Sequence, residues 1–425
     1  MENYKILLAN TLNISVDDIL HLNSVNNDGV ITIFITLKPI DKICPYCNSS
    51  HSVIKGYYSR KIILPYDNLH NINLVHKVRR YSCSSCKKSF REDSVFTPPR
   101  LSVSYSMINN VMKLLLNPNA TFSMVANSFN LSTSTVINIF DRYCHIPKTS
   151  CFPEVICIDE VYTKHSNFDS KYSCVFYDFL TKEIVDITPS RRKNYLHHYF
   201  QTFDQSALDN VKFVCIDMYL PYKDICNRYF KKAIICVDSF HVIKLLNDCL
   251  SKLRVRIMRF YDTSSTEYYL LKKWKWLLLS SNIDLDNIPK YNHRLKRYLN
   301  YRQLRDLILS IHPDLALAYH LKERYIFYNI NYDYNQMSLI IHSIIDELTS
   351  SNIPEFYDFT SALINWKHEI LNSFILYNGK RISNGIAESL NSKIKLIIYN
   401  SKGIYNHDRR RKRIMYSINR KGFSL

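Results

Sequence analysis

Hydrophobic spacing along the chain changes period several times, and each change marks a candidate boundary. The amphipathic start, MENYKILLANTLNISVDDIL, reads as a short helix. Ile31, Ile33, Ile35 and Leu37 then alternate with polar residues, the period of a strand with one buried face. From Cys44 to about Pro99 the chain is rich in Cys, Ser, Lys and Tyr, with strand-like pieces such as Ile72 to Val78. Pro98-Pro99 is a natural boundary, because neither residue donates a backbone hydrogen bond. Residues 104–145 carry helical periodicity. Across 153–240, apolar strands at Val155 to Ile158, Tyr172 to Phe179, Lys212 to Ile216 and Ala233 to Val237 alternate with helical segments, an α/β pattern. A further short strand is a candidate at Ile184 to Ile187. From about 241 to 376 the pattern is helical again, and 380–425 reads as a helix followed by a basic tail.

A chain of 425 residues is too long for one ordinary core, so several domains are expected. The 46% hydrophobic content is ample to pack them. Lys+Arg 56 against Asp+Glu 37 gives a net charge of +19. Such an excess suits a polyanionic partner, since neutralising phosphates releases counterions. It is not decisive, because abundant Lys, Asn, Ile and Tyr with only 6 Gly also fit a biased genome. The start lacks a basic region followed by an apolar run, so no secretory leader is expected. No stretch reaches the roughly 18 uncharged apolar residues of a membrane span. A reducing, cytoplasmic setting follows, where the 12 Cys do not default to a disulfide framework.

Cys44-Pro-Tyr-Cys47 and Cys83-Ser-Ser-Cys86 are two CxxC knuckles. Four thiolates in two knuckles can close a tetrahedral Zn²⁺ site, and the metal then replaces a core that the segment is too small to build. A redox CxxC usually comes singly, near a βαβ pattern. His51, His70 and His76 lie between the knuckles and are substitute ligands only in principle. Cys157, Cys215 and Cys236 fall in apolar strands and read as buried filler.

Thr121 to Arg142 has the outline of a helix-turn-helix. Val125, Ala126 and Phe129 give the first helix an apolar face, Asn130-Leu131-Ser132 makes the turn, and Ser132 or Thr133 caps the second helix. Val136, Ile137 and Phe140 hold the second helix to the first, leaving Ser134, Thr135, Asn138 and Arg142 to face a DNA major groove. The alternative is an ordinary αα-hairpin. Arg409, Arg410 and Arg411 open a basic run that would track phosphates or form a solvated tail. Trp274 and Trp276 are candidates for base stacking, or for helix packing.

Two apolar strands end in acids, Val155-Ile-Cys-Ile-Asp159-Glu160 and Phe213-Val-Cys-Ile-Asp217. Burying an unpaired carboxylate is costly, so acids at such ends suggest a bound cation, and side by side they would share Mg²⁺ or Mn²⁺. A third acid is needed. Glu388 is the best candidate, on a helix where Asn384, Glu388, Asn391 and Lys395 share a polar face and Ile386, Leu390, Ile394 and Ile397 face a core. Glu160, Glu355 and Glu369 compete for the role. Asp238 reads as the cap of a helix beginning at Ser239, or as a further contact of the metal site.

The order of two CxxC knuckles, helix-turn-helix, I-D-E, I-D-M, V-D-S-F-H-V-I-K and N-G-I-A-E-S-L-N-S-K-I-K resembles the DDE transposases of bacterial insertion sequences, most nearly the ISL3 family, from Cys44 to about Gly403. The resemblance implies a ribonuclease-H-like catalytic domain with the family's acids falling on Asp159, Asp217 and Glu388. It also places Asp238 and His241 in a family motif. The expected architecture is multidomain α+β: an N-terminal segment 1–40, a zinc ribbon 41–99, a helix-turn-helix 100–148, a ribonuclease-H-like α/β catalytic part 149–254, a helical insertion 255–375, and a last catalytic helix with basic tail at 376–425. The implied activity is Mg²⁺-dependent cleavage and strand transfer of double-stranded DNA, at transposon ends and target, by a homodimer or higher oligomer associated with the nucleoid and without membrane contact. The rival readings are a zinc-ribbon transcription regulator that binds without cutting, and a structure-specific nuclease of the same fold.

Overall fold

The computed structural model describes residues 6, 9, 12, 14–40, 42–65, 71–163, 170–280, 283–401 and 404–424, with Ile386 described in its backbone only. The helix expected at the start lies largely outside the described residues, as does His70. The chain divides into two compact units. The first joins Met1–Ile146 to Leu396–Leu425, and the second is Pro147–Lys395. No helix among the described residues is long and apolar enough to cross a membrane.

The first unit opens with a five-stranded sheet made of β1 (Ile19–Asn27), β2 (Val30–Leu37), β3 (Ser52–Ile63), β4 (Asn71–Cys83) and β5 (Ser89–Arg91). Its order is β1-β2-β4-β3, with β5 also on β4. Alternation along β2 buries Ile33, Ile35 and Leu37 and leaves Phe34 exposed. β1 was not foreseen. Only Ile19 is buried along it, so pairing with β2, not a hydrophobic pattern, makes it a strand. The hairpin between them turns on Asp28 and Gly29, both at positive φ, which a two-residue turn matching strand twist requires.

Three helices follow: α1 (Tyr105–Leu115), α2 (Phe122–Ser128) and α3 (Thr133–Tyr143). Ser104, Thr121 and Ser132 cap them, each accepting a backbone N–H from the first turn. The turn from α2 to α3 contains Asn130 at φ 49°, a left-handed position that Asn tolerates. The buried stripe of α3 is Val136, Ile139, Phe140 and Tyr143, the i, i+3, i+4, i+7 set. Ile137, expected in that stripe, is only partly buried, because it lies off the stripe's centre.

The second unit is built on a sheet of β6 (Val155–Tyr162), β7 (Tyr172–Asp178), β8 (Ile184–Thr188), β9 (Phe213–Ile216) and β10 (Ile234–Val237), in the order β10-β9-β6-β7-β8. β6, β7 and β8 form an antiparallel meander. β9 runs parallel to β6, and β10 parallel to β9. Parallel neighbours need crossovers, supplied by α4 (Lys193–Phe200) and α5 (Gln205–Leu208) before β9 and by α6 (Leu220–Tyr229) before β10. Ile156, Ile158, Phe176, Val214 and Ile216 pack with Leu196, Phe200 and Tyr222 from these helices.

Beyond β10 the chain is mainly helical: α7 (Ser239–Met258), α8 (Thr266–Lys273), α9 (Trp276–Leu279), α10 (Tyr301–Leu309), α11 (Pro313–Asn331), α12 (Tyr334–Ser350), α13 (Tyr357–Asn365) and α14 (Lys367–Asn372). α7 runs unbroken through the boundary expected at 254–255, because Leu246, Leu250, Leu253 and Ile257 continue one buried stripe. A small hairpin, β11 (Lys290–Asn292) with β12 (Arg297–Leu299), interrupts the helices. Three polar-rich residues per strand carry no period to read. Trp276 packs edge-on to Tyr301, 4.9 Å between ring centres, a helix-packing role. A second hairpin, β13 (Leu376–Tyr377) with β14 (Lys380–Arg381), leads to α15 (Gly385–Asn400).

The expected basic tail is a helix of the first unit, α16 (His407–Asn419). Tyr416 sits in the core of α1–α3, its ring 5.9 Å from Phe140 and its hydroxyl donating to Met112 O at 2.9 Å. Arg413, 1% exposed, donates from Nη2 to Asn117 O and Ala120 O at 3.1 and 2.8 Å. Tyr416→Ala should therefore destabilise the first unit by about 3 kcal/mol, as emptying an aromatic site does. Tyr416→Phe should cost about 1 kcal/mol through the lost hydroxyl bond. Urea unfolding measures both, and wild-type stability in Tyr416→Ala would show that α16 contributes nothing to this core.

Candidate metal centres and active site

The two cysteine knuckles are built alike. Cys44 N donates to Ser49 O and Asn48 N to Cys44 O, while Cys83 N donates to Lys88 O and Lys87 N to Cys83 O. In each, the residue after the second cysteine is left-handed, Asn48 at φ 58° and Lys87 at φ 61°. β4 ends at Cys83, so β3 and β4 hold the knuckles face to face. Their four sulfurs lie within 4.8 Å of one another, with Cys44–Cys86 at 3.7 Å and Cys47–Cys83 at 3.6 Å. A tetrahedron of Zn–S bonds of about 2.3 Å has edges of about 3.8 Å, so the cluster fits zinc. Backbone N–H groups of Cys86 and Ser85 pull the Cys83 thiol down to about 6, towards the thiolate that a metal needs. His76, a substitute ligand in principle, is buried and hydrogen-bonded to Ser94 at 3.0 Å, and His51 is exposed.

In the second unit, three adjacent strands carry the same Cys-x-Asp pattern: Cys157-Ile-Asp159 within β6, Cys215-Ile-Asp217 at the end of β9 and Cys236-Val-Asp238 at the end of β10. Register pairs Cys157 with Cys215 and Cys215 with Cys236. Alternation then carries each acid to the face of its own cysteine. The three thiols are buried and form a floor of small side chains. Cys157 Sγ donates to Ser383 O at 3.7 Å and Cys236 Sγ to Asn372 O at 3.5 Å.

The acids above this floor share one electrostatic field. Burial, then the neighbouring Glu160 and Asp238, push the Asp159 carboxyl up to about 6 against the N–H bond from Glu160. Burial, then Asp159, Asp238 and Glu160, push Asp217 up to about 8. Burial raises Asp238 as well. Burial lowers His241, while Asp238, Glu388 and Glu160 pull it the other way, so Glu388 on α15 lies within electrostatic reach of this group.

Amides hold the arrangement. Asn391 Nδ2 donates to Asp159 Oδ2 at 2.7 Å, and Tyr177 Oη donates to Asn391 Oδ1 at 2.5 Å. Asn384 Nδ2 donates to Ile158 O at 3.1 Å, and its backbone N–H to Asp238 Oδ1 at 3.2 Å. The polar face expected on α15 is thereby divided. Asn384 and Asn391, about two turns apart, are buried, while Glu388 and Lys395 stay exposed. The strand ends offer hydrogen-bond partners that draw the amides inward.

Of the competing acids, Glu160 pairs with Arg191, Glu355 with Arg256 at 2.6 Å and Glu369 with Lys223 at 2.7 Å. Asp238 does cap α7, accepting from Phe240 N at 3.4 Å. It also groups with Asp217 and His241, whose ligand atoms all lie within 4.8 Å. The third repeat of Cys-x-Asp in the sequence sets it beside Asp159 and Asp217.

On α3, Ser134, Asn138 and Arg142 are exposed and Thr135 is partly buried, its hydroxyl bonded to Ser132 at 2.7 Å. Arg142 Nη1 donates to Pro99 O at 2.8 Å. Arg409 forks onto Asp141, with Nη2 at 2.6 Å. Arg410 Nε donates to Ile404 O at 3.1 Å, and Arg411 is buried. The basic run is thus committed to internal partners, which removes the geometric ground for reading it as a phosphate-tracking tail.

Clustered carboxylates beside a β-sheet, a four-thiol cluster and a capped pair of short helices thus occur together in one chain. A profile of the ISL3-type DDE transposases matches residues 156–414, and the chain belongs to that family. Among individual proteins, the transposase for insertion sequence element IS1001 from Bordetella parapertussis is 26% identical over 117 residues. That match spans 27% of this chain and 29% of the relative.

The purified chain should carry about one equivalent of zinc, and Cys83→Ser should lose it, with the unfolding transition of the first unit shifted to lower temperature. Elemental analysis of unchelated protein without zinc would exclude the four-cysteine site. A second prediction concerns pH. Asp159 at about 6 and Asp217 at about 8 stand above the unfolded carboxyl value of about 3.9. The folded state therefore binds more protons, and stability falls as pH rises from about 4 through these values. In zinc-loaded protein without other divalent cations, Asp217→Asn should raise the melting temperature at a pH of about 8.5, with the gain shrinking towards pH of about 4. A lower melting temperature for Asp217→Asn at the higher pH would contradict the repulsion inferred for this pocket.

Proposed function

We propose that the chain is a DNA transposase that recognises transposon ends and performs metal-dependent strand cleavage and strand transfer, with Asp159, Asp217 and Glu388 as its catalytic carboxylates. The observation that carries this reading is the pair of adjacent parallel strands β6 and β9: Asp159 lies on β6 two residues past the last rung the strands share, and Asp217 directly follows β9. The strand order, a three-stranded meander extended by two parallel strands, supports a ribonuclease-H-like core. The helices between β10 and α15 are then an insertion between the second and third acids. The four cysteines would hold structural zinc, and α3 would present Ser134, Thr135, Asn138 and Arg142 to the major groove.

The carboxylates suit Mg²⁺ or Mn²⁺, hard cations that take oxygen ligands. Bound between them, such cations would supply Lewis-acid stabilisation of charge during in-line phosphoryl transfer. The chain's own residues keep the acids in place. Asn391, itself held by Tyr177, fixes one oxygen of Asp159. Asn384 fastens the start of α15, and with it Glu388, to the ends of β6 and β10. In this reading water cuts the phosphodiester at the transposon end, and the freed 3′-hydroxyl attacks target DNA without a covalent protein intermediate.

The test is cleavage and joining of end-containing DNA with Mg²⁺ or Mn²⁺. Asp159→Asn and Glu388→Gln should bind the ends with unchanged affinity and lose cleavage by several orders of magnitude. Asn138→Ala should cut but discriminate end from random DNA less well. A wild-type chain that binds and never cuts would favour a regulator, cleavage without joining would favour a plain nuclease, and an active Glu388→Gln would remove Glu388 from the set.

A further inference from the structure

We propose that Asp217, Asp238 and His241 form a divalent-cation site with a nitrogen ligand, so that the carboxylate pocket accepts Mn²⁺ in preference to Mg²⁺. The inference rests on the pocket being a metal site, and adds two ligands to it.

The backbone brings the three residues together. Asp217 follows β9 and Asp238 follows β10, in-register parallel neighbours in which Ile216 pairs with Val237. Asp238 N donates to Ile216 O at 2.9 Å. Asp238 then caps α7, which places His241 in the first turn. All three ligand atoms lie within 4.8 Å of one another.

The contact between Asp217 and His241 has the spacing of two ligands, not the geometry of a hydrogen bond. Asp217 Oδ1 stands 3.0 Å from His241 Nε2, yet this buried oxygen accepts no hydrogen bond. Two atoms bound to one cation at about 2.1 Å and at right angles stand about 3.0 Å apart. Asp238 adds the need for charge. It is 1% exposed, its two hydrogen bonds from Phe240 N and Asn384 N both end on Oδ1, and among the described residues no Lys or Arg pairs with it or with Asp217. A buried carboxylate lacking a cation is costly. Asn384 beside it, also 1% exposed, has an Oδ1 without a partner.

The donor set decides the ion. Mg²⁺ prefers oxygen and water in a strict octahedron, whereas first-row transition cations accept imidazole more readily. Two carboxylates and one imidazole therefore favour a first-row cation such as Mn²⁺ over Mg²⁺.

The test is a Mn²⁺ titration of the zinc-loaded full chain without DNA, following free Mn²⁺ by electron paramagnetic resonance, with Mg²⁺ as competitor. Asp238→Asn and His241→Ala should each weaken the tightest Mn²⁺ site by at least about tenfold, on the scale of losses at metal centres. His241→Asp should restore binding with a lower Mn²⁺/Mg²⁺ preference. That change of preference is a readout that a folding defect would not produce, and circular dichroism and retained zinc confirm folded variants. Wild-type Mn²⁺ affinity in folded Asp238→Asn and His241→Ala, or an unchanged preference in His241→Asp, would overturn the proposal. If the wild type cuts DNA and Glu388→Gln does not while Mn²⁺ binding ignores His241, the transposase reading stands and this site falls. If the site binds Mn²⁺ as described and no DNA is cut, the reverse holds.

Discussion

Three strands running side by side, Val155–Tyr162, Phe213–Ile216 and Ile234–Val237, each pass from an apolar core to a carboxylate on the same rung of the sheet. Parallel register makes this possible. Cys157, Cys215 and Cys236 stand in line, so the acids two residues on, Asp159, Asp217 and Asp238, are brought to one edge of the sheet. A slip of one residue in any strand would turn its acid to the opposite face. Everything else in the candidate site answers to this convergence of negative charge; burial first, and then the neighbouring carboxylates, raise Asp159 and Asp217 well above ordinary carboxyls.

Most of the direct protein contacts to these acids are neutral. Asn391 and the Glu160 N–H serve Asp159, and the backbone of Asn384 and Phe240 serves Asp238. Several nearby cations pair with other acids: Arg191 with Glu160, Lys223 with Glu369 and Arg256 with Glu355, while Lys244 acts on Asp217 without a direct ion pair among the described residues. Amide donors orient a carboxylate without cancelling its charge, whereas an Arg fork would occupy both oxygens. A pocket organised this way retains its negative potential and keeps carboxylate oxygens for a ligand, which is the physical basis for reading it as a cation site and not as a structural ion-pair network.

How far the sequence disclosed this varied with the range of the interaction. Strands β6, β7, β9 and β10 were legible because their apolar runs are buried on both faces, and the α3 cap at Ser132 because capping is local. The four-cysteine cluster was legible because knuckle spacing is itself the geometry. What was hidden depends on partners distant in sequence. The inward turn of Asn391 needs Asp159 and Tyr177. Arg413 reads as solvated charge until Asn117 and Ala120 supply carbonyls to it. Strand β1 shows no hydrophobic period because it relies on β2. Asp238 was left with two readings, helix cap or further contact of the metal site; it caps α7 and also groups with Asp217 and His241 through strand register, which the local signal does not contain.

The connectivity of the units adds a constraint on how such a chain can be altered. The whole of Pro147–Lys395 is inserted within the sequence of the first unit, whose helical core is completed by Tyr416 packing on Phe140. Closing that core requires residues far apart in sequence to meet, an entropic cost that grows only slowly with loop length but delays formation of the contact. The chain leaves the second unit through α15, the helix that carries Glu388 in its first turn and whose later residues belong to the first unit. Under the transposase reading, a single helix therefore links the third catalytic acid covalently to the unit that reads DNA. The helix thus begins in the sequence of one unit and ends in that of the other, and it contributes Glu388 and Asn391 to the candidate site.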